Sequence, residues 1–156
     1  MNYIGIDKKA LESVASHLNK LLASYNIYYQ NLRSFHWHVQ GSNFFDLHHL
    51  FEDYYNSAKL TIDEIAERIL TIGHKPDGSL HTYLDKTKIK ESDDLLTDRE
   101  MAKQVLENQS ELIKNMRTVI KEASKVEDEG TIDLIGGMLS AIEKKAWLLY
   151  SWQKKQ

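Results

Sequence analysis

The sequence predicts an all-α protein: a four-helix bundle in which one long crossover carries a short extra helix. Three observations lead there. Breakers are scarce, with one proline and seven glycines in 156 residues, and most of them punctuate long stretches that otherwise favour helix. Apolar residues recur at alternating steps of three and four, the spacing of a stripe that faces a core. The connection over residues 73–96, between the second and third stripes, is long enough to run the length of a bundle.

The first segment covers residues 7–39, with a seam of Leu11, Val14, Leu18, Leu21, Tyr25, Tyr28, Leu32, Phe35 and Val39. Gln40-Gly41-Ser42 stops it. Gly41 suits the left-handed residue that ends a helix, and Ser42 suits the cap that begins the next. The second segment covers residues 42–72, with Leu47, Phe51, Tyr54, Ala58, Ile62, Ile65, Ile69 and Ile72 inward. So short a link makes the two an antiparallel pair. The crossover holds the only proline, in the turn Lys75-Pro76-Asp77-Gly78, and a short helix is expected over residues 79–85. It returns the chain so that the third segment runs parallel to the second. Thr97-Asp98-Arg99-Glu100 opens that third segment as a capping box. Met101, Val105, Leu112, Met116, Val119 and Ala123 form its seam. After the turn Glu127-Asp128-Glu129-Gly130, the fourth segment covers residues 131–152, with Ile135, Met138, Ile142, Ala146 and Leu149 inward.

The bulk properties bound the function. A mass of 18.1 kDa suits one domain over residues 1–156 with a single sizeable core. Mean hydropathy is −0.50, and no run approaches the roughly 20 apolar residues of a membrane span. The first residues lack the basic and apolar regions of a secretory signal. There is no cysteine, which excludes disulfides and thiolate chemistry and leaves His, Asp and Glu as metal ligands. A cytoplasmic location is expected from these two features. A net charge of −3 and a pI of 6.2 give no general attraction to nucleic acid.

Four of the seven histidines fall between Phe35 and Leu50, as His36, His38, His48 and His49, with Glu52, Asp63 and Glu67 downstream. His and Glu are common on wet helix faces, and a lone instance carries no function. Here the spacing pairs them. His48 and Glu52 share a face four residues apart, as do Asp63 and Glu67. Imidazole and carboxylate without sulfur suit iron, manganese or zinc. His36 lies across the tight turn and can fold back on His48. The fifteen residues from His48 to Asp63 span roughly 22 Å of continuous helix, which no single ion bridges. If the histidine half and the carboxylate half belong to one site, two chains related by a two-fold axis must supply them. An ordinary intrachain di-iron bundle needs two Glu-x-x-His motifs, and the sequence has none.

The run His36-Trp37-His38-Val39-Gln40-Gly41-Ser42-Asn43-Phe44-Phe45-Asp46-Leu47-His48, followed by Asp63-Glu64-Ile65-Ala66-Glu67-Arg68-Ile69, resembles the signature of the Dps family of ferritin-like mini-ferritins. The resemblance extends over essentially the whole chain. It implies a hollow dodecamer that binds Fe²⁺ at two-fold dimer interfaces. Such a shell oxidises the iron, preferably with hydrogen peroxide and otherwise with dioxygen, and stores ferric mineral as protection against oxidative damage. It carries the ferroxidase ligands over to His36, His48, Asp63 and Glu67, with Glu52 as a further ligand or a group that supports the ligands and Trp37 beside the iron. Nucleoid DNA binding with secondary iron chemistry is the alternative that the family offers.

Other features have a bland reading beside the functional one. Acids near a helix start need no function, but the family's acidic pores at a three-fold axis point to Asp133 and Glu129. Trp147 and Trp152 read as packing or interface residues, and His17, His74 and His81 as surface residues. In the family, DNA is often bound by a mobile lysine-rich tail. Here the first basic residues are Lys8 and Lys9, and the other end carries only Lys154-Lys155-Gln156. DNA binding is therefore expected to be weak or absent.

Overall fold

The structure, a computed structural model, describes residues 3–92 and 96–154. Lys155 and Gln156 of the terminal basic patch lie outside them. Five helices follow in order: α1 (Glu12–His38), α2 (Phe44–Thr71), α3 (Leu80–Lys86), α4 (Asp98–Ser124) and α5 (Glu129–Gln153). There is no strand among the described residues.

α1 is the centre of the packing and lies against α2, α3 and α4, while α5 lies against α4. Every seam residue expected on α1 is buried, and Ala15, Leu22, Ala23 and Ile27 are buried beside them, which widens the stripe to serve three neighbours. The directions follow from contacts at the ends. Asn43, which caps α2, donates to Asp98 in the first turn of α4 at 2.8 Å. The starts of α2 and α4 are therefore adjacent and the two run parallel. Ser13 near the start of α1 donates to Glu122 near the end of α4 at 2.9 Å, so that pair is antiparallel.

The crossover is fastened to α1 by buried side chains. Asn19 donates to the Lys75 carbonyl at 3.2 Å and accepts from the Asp77 N–H at 2.8 Å. Asn31 repeats this with the Lys90 carbonyl and the Ser92 N–H, both at 2.9 Å. Between them the Ser24 and Thr87 hydroxyls bond at 3.0 Å, and Tyr83 of α3 is buried. Each asparagine satisfies a carbonyl and an N–H of a segment that makes no ladder of its own.

Three expectations need correction. α1 starts at Glu12, because the Asp7 carboxylate accepts the N–H groups of Lys9 and Ala10 and closes a separate turn ahead of the helix. Ser42 does not cap α2; Asn43 occupies that position, and its side chain is committed to Asp98. Ile62, Met138 and Ala146 are only half-buried, because α2 and α5 share no closely packed seam. A groove remains between those two helices. It contains a cavity of about 340 Å³ lined by Tyr25, Tyr28, Tyr54 and Lys145 and another of about 650 Å³ lined by Leu47, Leu50, Leu148 and Trp152. The capping box at Thr97 and Glu100 is present in full, and Gly41 is left-handed at φ 106°. Among the described residues, no helix is long and apolar enough to cross a membrane.

Candidate metal centre

The turn that Gly41 allows brings the last turn of α1 onto the first turns of α2. The His36 and His48 rings stack there, with centroids 3.8 Å apart and planes 21° apart. Each anchors the other through the backbone: His36 Nδ1 donates to the His48 carbonyl at 2.8 Å, and His48 Nδ1 to the His36 carbonyl at 2.9 Å. A carbonyl oxygen only accepts, so both Nδ1 atoms carry protons, and in the neutral ring Nε2 is then the nitrogen that keeps the lone pair. That is the form in which imidazole binds a metal, oriented by a bond from its other nitrogen.

The surroundings hold the pair in place. Phe44 stacks on His48 with centroids 5.0 Å apart, and the Tyr55 and His36 rings meet in a T shape at 5.4 Å. Glu52 lies one turn beyond His48 and beside Tyr55, whose phenol is held above its ordinary pKa by desolvation and then by that carboxylate. Trp37 is exposed, with the Arg33 guanidinium 4.8 Å from its ring centre. His49 is exposed with its ring 5.8 Å from that of His48, and His38 is exposed and donates to the Ser34 carbonyl.

Asp63 and Glu67 are exposed one turn apart and have no ion-pair partner among the described residues. α2 is unbroken from Phe44 to Thr71, so along the axis from His48 Asp63 stands roughly 22 Å away and Glu67 roughly 28 Å away. Among the described residues, no group of three His, Asp or Glu side chains converges on one point. The chain thus brings His36 and His48 together, places Glu52 one turn away, and keeps Asp63 and Glu67 apart from them.

At the start of α5, Glu129 and Asp133 are exposed. Asp128 is different. It is the N-cap of α5, 1% exposed, and paired with Arg68 at 2.5 Å. The capping position before Thr131 was open to reading from sequence, but a partner 60 residues away was not. The exposed acids of this turn are therefore Glu127, Glu129 and Asp133. His74 and His17 are half-buried rather than fully at the surface, the former bonded to the Lys8 carbonyl, while exposed His81 meets Asp85 at 3.3 Å.

The ferritin-like domain family matches residues 15–155. The Porphyromonas gingivalis DNA protection during starvation protein is 36% identical over 151 residues, which cover 97% of this chain and 95% of that protein. The Dps protein of Vibrio cholerae O1, described as a member of a broad superfamily of ferritin-like diiron-carboxylate proteins, superposes with a TM-score of 0.95 at 38% identity, covering 99% of this chain and 97% of that one. Dps from Staphylococcus aureus superposes with a TM-score of 0.89 at 32% identity, covering 92% and 96%. The single-crossover bundle and these likenesses define a ferritin-like protein, and within that class the chain belongs to the Dps family.

Proposed function

We propose that this chain is the subunit of an iron-oxidising storage shell, with Fe²⁺ as its substrate. The observation that carries the reading is the reciprocal His36–His48 anchor. It leaves two lone pairs free on one half of a site, while two uncommitted carboxylates wait on the other half. A two-fold axis that sets the histidine half of one copy against Asp63 and Glu67 of another completes the ligand set, twice per dimer. Imidazole suits Fe²⁺, and carboxylates favour the harder Fe³⁺ product. Glu52 is a further ligand and Trp37 a neighbour of the bound iron.

Hydrogen peroxide is the preferred oxidant and dioxygen the alternative. Two Fe²⁺ each give one electron, and the peroxide with two protons becomes two waters, so both reagents of hydroxyl-radical chemistry are consumed together. Six such dimers would form a dodecamer that holds the ferric mineral, with Glu129 and Asp133 drawing Fe²⁺ through pores at the three-fold axes. Protection of DNA by contact is the second reading, favoured by the names of the relatives, but a net charge of −3 offers phosphate little attraction. In the test, anaerobic shells are loaded with Fe²⁺ and mixed with peroxide. A fast oxidation phase and a soluble iron-loaded particle are expected. Asp63→Ala/Glu67→Ala should lose the fast phase with the fold unchanged, and an undiminished fast phase in that variant refutes the assignment.

A further inference from the structure

The end of α2 that carries Asp63 and Glu67 is joined to the start of α5 by a buried polar cluster. The Asp128 carboxylate accepts from Arg68 Nη2 at 2.5 Å, from the Thr131 hydroxyl at 2.5 Å and from the Thr131 N–H at 3.1 Å. Arg68 Nε donates to the Thr131 hydroxyl oxygen at 2.9 Å. The backbone is shaped around the guanidinium. A Cβ on Gly130 would lie 2.8 Å from Nη2 and 3.0 Å from Nη1 of Arg68, and Glu127 just before is left-handed at φ 56°. Elsewhere α2 and α5 share no closely packed seam. Their other polar links among the described residues are at Lys145, which donates to Ser57 at 2.6 Å and whose carbonyl accepts from Tyr54 at 3.4 Å. Those links lie about three to four turns from Arg68.

This end of α2 is therefore joined to the start of α5 by charge and hydrogen bonds, beside Ile65, Ile69 and Ile135, which are buried in the common core. Arg68 follows Glu67 directly, and at 3.6 residues per turn it projects roughly 100° around the helix from it. It grips the helix from the flank without reaching into the metal site.

Building on the iron-site reading above, we propose that Arg68 is a positioning residue for iron oxidation: its grip on Asp128 and Thr131 sets the tilt and rotation of the last turns of α2, so that Asp63 and Glu67 meet the histidine pair of a second copy in ligating geometry. The same cluster sets the offset between these carboxylates and Glu129 and Asp133 on α5. Fork geometry is the reason for arginine here, because one side chain must serve an oxygen of Asp128 and an oxygen of Thr131 at once.

The test uses assembled shells of the full chain, Co²⁺ as an air-stable divalent probe read by calorimetry, and the peroxide-driven Fe²⁺ oxidation assay. Arg68→Gln should weaken Co²⁺ binding about 10-fold and raise the half-saturating Fe²⁺ concentration similarly, as when a group that orients a ligand is removed. The limiting rate of the fast phase should hold within about twofold, since no ligand is lost. Arg68→Lys should fall between the two proteins. Leu112→Ala, a cavity in the buried face of α4, lowers stability elsewhere and should leave Co²⁺ affinity unchanged. Asp63→Ala/Glu67→Ala separates the two readings: if that variant binds Co²⁺ as wild type does, the metal-site assignment itself fails. If it loses binding while Arg68→Gln keeps wild-type affinity, or if Leu112→Ala weakens binding as much as Arg68→Gln, the positioning role is overturned. Should Arg68→Gln fail to assemble, Gly130→Ala decides, because it keeps every polar group and displaces only the guanidinium. Weakened Co²⁺ binding there supports the proposal, and unchanged binding overturns it.

Discussion

His36 and His48 each spend one nitrogen on the other's backbone and keep the second free. Replacing either ring removes a proposed ligand and the ring stacked on its neighbour at 3.8 Å, while the neighbour keeps its backbone acceptor, so the loss should exceed that of a peripheral contact. His36→Ala or His48→Ala is expected to slow the fast phase of Fe²⁺ oxidation by about 10- to 100-fold, read by stopped-flow absorbance. Glu52→Gln should cost less, as it stands one turn beyond the pair. A second residue-scale effect belongs to the start of α4. The Glu100 carboxyl is held below its ordinary value of 4.5, first by the Thr97 N–H and then by the Thr97 hydroxyl. A lowered folded-state pKa contributes stability that is present above the ordinary value and is lost as pH falls through the folded value. The stability gap between wild type and Glu100→Gln should therefore be constant near neutral pH and narrow below 4.5, as measured by urea unfolding. A gap that widened in acid would contradict the capping box.

At the level of elements, the crossover depends on two side chains of α1. Asn31→Ala leaves the Lys90 carbonyl and the Ser92 N–H without their partner. It should cost about 1–3 kcal/mol in chemical denaturation, the penalty of unpairing part-buried polar groups. Asn19→Ala should behave alike at the other end. The helices themselves were legible because their burial is periodic: Leu11 through Val39 alternate by three and four, and every one is buried. The asparagines were not, since nothing local marks a helical Asn that serves a segment some sixty residues away. Ser42 was misread for a related reason: the cap position went to Asn43, whose partner Asp98 lies across the bundle. In the candidate site, the pairing of His36 with His48 followed from the short turn between them. Their backbone anchors depend on the angle of the helix corner, and the Arg68–Asp128 pair on how α5 meets α2, so neither was readable from spacing.

At the scale of the whole molecule, one chain carries a histidine pair and a carboxylate pair held apart along an unbroken helix. The chain is acidic overall at −3, so gel-shift assays near neutral pH and physiological salt, with a Debye length of about 8 Å, should show little or no DNA complex. Tight complexes under those conditions would favour the DNA-contact reading. The most direct measurement co-assembles a His36→Ala/His48→Ala subunit with an Asp63→Ala/Glu67→Ala subunit and follows peroxide-driven Fe²⁺ oxidation. Each variant alone should be poorly active. In a mixed dimer one interface loses all four ligands and the other regains all four, so fast oxidation should return at up to about half the sites, by the symmetry of an isologous contact. No recovery in shells shown by mass spectrometry to contain mixed dimers would contradict a site built from two subunits.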